Sequence, residues 1–119
     1  MTARLAVHGA LSRGTFAVVV LVSLAVLFAP ASDVPSSPPG VDKVVHLLLF
    51  TALALAGRWA GVTRTVLAGL LVLYAAVSEV LQGTELVGRD ASVADLVADV
   101  AGVVLGLLAW RLVERSRAR

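Results

Sequence analysis

The run Phe16-Ala-Val-Val-Val-Leu-Val-Ser-Leu-Ala-Val-Leu-Phe28 decides the class of this protein. It lies within 19 consecutive uncharged residues between Arg13 and Asp33, and about 20 apolar residues cross the ~30 Å hydrocarbon core of a bilayer. A helix over about 14–30, stopped by Pro30, is expected there. The rest of the chain has the same character. Of 119 residues, 59% are hydrophobic and only 15% are charged, and the mean hydropathy is +0.94. A water-soluble domain of this length leaves roughly a third of its surface in solvent and needs polar residues at about half its positions. That excludes a soluble globule, a disordered chain and a fibrous repeat. The net charge is +2, and four of the ten basic residues fall in the last nine positions, so no nucleic-acid partner is expected. With no cysteine, the chain has no disulfide framework, thiolate metal site or cysteine nucleophile. The reading is an all-α integral membrane bundle forming a single domain over 1–119.

Three further spans are less obvious, because charges interrupt them. The uncharged stretches between Lys43 and Arg58 and between Arg64 and Glu79 hold 14 residues each, and that between Asp99 and Arg111 holds 11. Fourteen residues rise only ~21 Å as a helix. Spanning helices must therefore carry polar residues inside their ends, over about 41–61, 63–83 and 92–112. All four prolines lie between Pro30 and Gly40, which reads as an extended loop. The turn at Gly61-Val-Thr63 is short enough to make helices two and three a tight hairpin. Lys and Arg set the orientation. One side holds eight of them (Arg4, Arg13, Arg58, Arg64, Arg111, Arg115, Arg117 and Arg119), the other only Lys43 and Arg89. Both termini are therefore expected in the cytoplasm. Under an alternative reading, residues up to Ala29-Pro-Ala31 form a cleaved signal peptide, leaving three spans.

In this topology the polar residues gather at one depth. Asp42, Lys43 and His46 open helix two, Ser78, Glu79 and Gln82 close helix three, and Asp95 and Asp99 open helix four, with Arg89 in the connection. Each set keeps to one helical face, spaced by three or four residues. A lone carboxylate in lipid costs ~2.5–3.5 kcal/mol, so these groups are expected to face the bundle interior and to pair, Arg89 with Glu79 or Asp95 and His46 with another carboxylate. Gly102 and Gly106 continue the stripe of Asp95 and Asp99 and suit a close helix contact, whereas Gly57 and Gly61 read as ordinary packing glycines. Trp59 and Trp110 read as anchors at the inner boundary.

The pattern Asp42-Lys43-x-x-His46-x-x-x-Phe50, Ser78-Glu79-x-x-Gln82, Arg89, Asp95-x-x-x-Asp99-x-x-Gly102-x-x-x-Gly106 resembles the VanZ-like family of small bacterial membrane proteins. The resemblance covers about 42–106. It departs from the family at two points: the family usually has Asn where this chain has Asp99, and Pro before the arginine where this chain has Gly88. What the resemblance implies is a place in the bacterial cytoplasmic membrane and a role in the cell envelope. The name-giving member is associated with resistance to the glycopeptide teicoplanin. Membrane lipid, a lipid-linked or cell-wall ligand at the outer face, and a second copy of the chain are the partners to consider.

Other chemistries are weaker on the residues alone. Ser78 lacks a nucleophile-elbow setting. A histidine or carboxylate acid/base acting on a lipid-linked or cell-wall substrate is the enzymatic alternative. A metal could sit between Asp42 and His46 on one face and Glu79, Asp95 or Asp99 opposite, and these ligands suit Mg, Mn or Ca better than Zn. Without a second histidine in the cluster, neither a metal nor a cofactor is assigned. A small proton-coupled exporter needs a carboxylate near the bilayer midplane, but the carboxylates here gather near one surface. A network that merely sets helix register is the plainest account of the cluster.

Overall fold

The computed structural model describes residues 9–29, 40–84 and 92–118. Four helices make up the described chain: α1 (Ala10–Phe28), α2 (Val41–Trp59), α3 (Arg64–Gln82) and α4 (Val93–Ala118). The first three are 19 residues each, or ~28 Å of rise, close to the thickness of a hydrocarbon core. α1, α3 and residues Val93–Arg117 of α4 are long and apolar enough to cross a membrane, with mean hydropathies of 2.1, 1.7 and 2.0. α2 carries Asp42, Lys43, His46 and Arg58 and does not qualify by composition.

Two helix ends differ from the sequence expectation. α1 starts at Ala10 rather than near 14, taking in Arg13, which is exposed. α4 runs to Ala118 rather than ending near 112. The expected end followed the loss of hydrophobicity, which marks the edge of an apolar layer and not the end of a helix. Leu112 through Ala118 contain no glycine or proline and several strong helix formers, so nothing stops the helix there.

Contacts run in step along the pairs α2–α4 and α1–α3. His46 meets Asp99, Leu47 faces Gly102, Thr51 faces Gly106 and Arg58 meets Glu114. Ser23 meets Tyr74, and Leu27 meets Gln82. Both pairs are therefore parallel, and the chain alternates direction through the bundle. One end collects the end of α1, the start of α2, the end of α3 and the start of α4. The hairpin between α2 and α3 turns at the opposite end. There Gly61, at φ 98°, sits where the N–H of Gly61 bonds the Arg58 carbonyl and that of Val62 bonds the Gly57 carbonyl, each at 3.0 Å. This is the Schellman arrangement, and its left-handed position suits glycine.

α2 is the centre of the bundle and touches all three other helices, α4 most closely. A Cβ on Gly102 would lie 2.5 Å from the Leu47 carbonyl oxygen, and one on Gly106 would lie 2.5 Å from the Ala54 Cβ and 2.7 Å from the Thr51 oxygen. Only a hydrogen fits at either point, so the two backbones are almost in contact. Leu27, Phe50, Leu53, Ala54, Leu67, Leu71, Ala75 and Val103 form the apolar core. Tyr74 packs its ring against Phe50 and Phe28 and hydrogen-bonds Ser23 through its hydroxyl at 2.9 Å. Large aliphatic side chains point outward from every helix, including Leu21, Leu48, Leu73 and Val97, each more than half exposed. Such a continuous apolar exterior is unfavourable in water and matched to lipid.

Candidate functional site

The end where α2 and α4 begin is the acidic end. Asp42 and Asp95 lie in the first turns of their helices, where the partial positive charge of a helix N-terminus favours a carboxylate. His46, one turn below Asp42, is buried, and so are Glu79, Asp95 and Asp99. Asp42 and Lys43 stay about half exposed at the rim, at 53% and 45% of their side chains.

His46 is the hub. Its Nδ1 lies 2.6 Å from Asp99 Oδ1. An ionised Asp99 can only accept, so Nδ1 then carries the proton. On its other side, Nε2 lies 3.8 Å from Asp42 Oδ1 and 3.9 Å from Asp95 Oδ2. Those two separations are beyond hydrogen-bond range. Lys43 Nζ approaches the other oxygen of Asp95, at 3.0 Å.

Glu79 reaches this end from α3. Its Oε1 accepts from the backbone N–H of Ser92, while the Ser92 hydroxyl accepts from the backbone N–H of Asp95 at 3.2 Å. Ser92 is thus the N-cap of α4. In a capping box the acidic residue three positions on would reach back to the cap's own N–H. Here Glu79 takes that N–H instead, leaving the Asp95 carboxylate free to face Lys43 and His46. Glu79 Oε2 and Asp99 Oδ2 are buried without a hydrogen-bond partner.

The structure brings together Asp42, Lys43, His46, Glu79, Asp95 and Asp99. Ser78 does not join them, since its hydroxyl donates to the Ala75 carbonyl one turn back, at 3.0 Å. Gln82 is buried too, but its amide donates to the Leu27 carbonyl at 2.8 Å and ties α3 to α1. Arg89 and its expected pairing fall outside the described residues. On Asp95 the cation is Lys43. Sequence reasoning missed Ser92, although Ser92-x-x-Asp95 ahead of an apolar run is a readable N-cap signature. It also missed the Ser23–Tyr74 pair, which no local pattern announces.

At the opposite end the charges are basic and open. Arg58 donates to the Val62 carbonyl at 2.7 Å and to Glu114 at 3.1 Å. It lines a cavity of about 450 Å³ with Arg64, Arg111, Thr63 and Thr65. Trp110, expected as an interfacial anchor, is instead buried at 7% exposure. With Trp59, Val19 and Ala52 it lines an apolar cavity of about 420 Å³.

The acidic end can hold a cation, or move a proton through the His46–Asp99 pair. No family model, curated protein or solved structure compared with this chain matches it.

Proposed function

We propose that this chain is a four-span protein of the bacterial cytoplasmic membrane with both termini in the cytoplasm. In this reading α2 is the fourth span and the acidic end opens on the extracytoplasmic side. Its role is in cell-envelope maintenance or tolerance to glycopeptide-type antibiotics, as in the VanZ-like pattern it resembles. One observation carries the reading: residues scattered through that pattern, on three helices, gather around a single buried histidine. Lipid-facing aliphatics on α2, such as Val44 and Leu48, support its placement in the bilayer. An acid/base enzyme acting on a lipid-linked or cell-wall substrate is the second reading, favoured by the 2.6 Å His46–Asp99 contact.

The topology is tested by a reporter fused after Arg119, expected to report cytoplasm, and by cysteines at Ser36 or Gly88, expected to react with impermeant thiol reagents from outside. The role is tested by expressing the chain in a teicoplanin-sensitive bacterium. Teicoplanin tolerance should rise with the wild type and fall back with Glu79→Gln or Asp42→Asn at equal abundance in the membrane. Unchanged tolerance in both variants would reduce the cluster to a register-setting network.

A further inference from the structure

We propose that the acidic end binds one divalent metal ion of the Mn²⁺ class. Its ligands are His46 Nε2 and one carboxylate oxygen each from Asp42 and Asp95, and Asp99 is the positioning partner of the histidine.

The distances suit an ion. Nε2 stands 3.8 Å and 3.9 Å from the two oxygens, too far for hydrogen bonds. Ligands about 2.1–2.2 Å from a common metal lie roughly 3.1–3.8 Å apart, as their angle opens from ~90° to ~120°. The two nitrogen–oxygen separations therefore match a shared metal to within a few tenths of an ångström. One ligand atom from each of the three residues lies within 4.8 Å of the other two.

The surroundings are those of a metal-bound imidazole. A ligating histidine usually donates its other N–H to a carboxylate, which fixes ring and tautomer. His46 Nδ1 faces Asp99 at 2.6 Å in that role, aiming Nε2 at Asp42 and Asp95. Lys43 takes only Oδ1 of Asp95, so Oδ2 stays turned toward the histidine.

A second observation is independent of those distances. Glu79 Oε2 and Asp99 Oδ2 have no hydrogen-bond partner, although the residues are only 7% and 0% exposed. One ligand atom each of His46, Glu79 and Asp99 also lies within 4.8 Å of the other two, so both of these carboxylates crowd the same histidine. Four carboxylates meet here, and among the described residues Lys43 is the fixed cation beside them. Uncompensated anionic charge at low dielectric is costly, and a divalent ion offsets most of it. One imidazole nitrogen among hard oxygens favours Mn²⁺ over the all-oxygen preference of Ca²⁺ and Mg²⁺, and the absence of cysteine argues against a structural zinc site.

The proposal concerns binding, so it can fail while the envelope role stands, or stand while that role fails. The full chain, purified in micelles and stripped with chelator, is titrated with Mn²⁺ and followed by electron paramagnetic resonance. One ion per chain is expected, with nitrogen hyperfine coupling from one imidazole. Asp42→Asn, at the exposed rim, should weaken binding at least about tenfold without unfolding the chain, and Asp99→Asn should weaken it about tenfold through the histidine. Arg58→Ala, at the far end, should change nothing. Absence of binding at millimolar Mn²⁺ by folded wild type would overturn the proposal. So would bound Mn²⁺ without nitrogen coupling, or binding indifferent to Asp42→Asn.

Discussion

The two ends of the bundle treat charge in opposite ways. At the acidic end His46, Glu79, Asp95 and Asp99 are pulled inside, where each must find a partner among its neighbours. At the basic end Arg58 and Glu114 meet at 3.1 Å with 21% and 49% of their side chains exposed, and Arg111, Arg115 and Arg117 are exposed. An exposed arginine keeps its hydration or meets a headgroup and needs no specific geometry. A buried carboxylate lacks that freedom, so position and partner decide its energy. Ionic contacts of similar length should therefore differ several-fold in worth between the two ends.

The largest effect is expected from His46→Leu, which leaves Asp99 fully buried with neither oxygen partnered. A loss of about 3–5 kcal/mol is expected, measured by denaturant unfolding in mixed micelles. A loss below about 1 kcal/mol would show that the cluster adapts and would erase the contrast between the ends.

Next is Gly106→Leu, which tests whether the close α2–α4 approach holds the acidic end together. A branched side chain there meets the Thr51 carbonyl and the Ala54 Cβ, and about 2–3 kcal/mol should be lost. The same substitution at Gly69, where a Cβ meets nothing within 4 Å, should be nearly silent.

A smaller loss, about 1 kcal/mol, is expected for Ser92→Ala, which removes the α4 cap but keeps the backbone N–H that Glu79 binds. Hydrogen exchange should rise at the first turn of α4 and not in α2. The smallest effect is expected for Glu114→Ala at the basic end, below about 1 kcal/mol and shrinking with added salt. If it instead matched His46→Leu, burial would not be what separates the ends.

How far the site was legible follows from which signals are local. Spacing along single helices correctly marked Asp42 with His46 and Asp95 with Asp99 as shared faces, and depth placed Glu79 beside them. The stripe of Gly102 and Gly106 was readable for the same reason, as a period of four on one face. Which carboxylate took which cation was not readable. Lys43 reaches Asp95 because α2 and α4 run in parallel and nearly touch. Glu79 reaches the cap of α4 because α3 ends beside its start. Ser78 and Gln82 share the depth of the cluster but not its contacts, since short side chains back-bond to their own helix and the rotation of α3 turns Gln82 toward α1.

By itself the sequence determined an apolar chain of four helices, with its buried carboxylates gathered at one depth. Transfer energies add residue by residue, and helical periodicity is a property of each segment alone. Only the tertiary structure decided that α2, although charged at both ends, is the most enclosed helix, and that His46 lies between Asp99 on one nitrogen and Asp42 and Asp95 on the other. Those outcomes depend on the crossing of helices 50 residues apart in sequence, to within an ångström. Periodicity in one helix carries no information about its rotation against another, which is set when glycine-sized gaps let two backbones close.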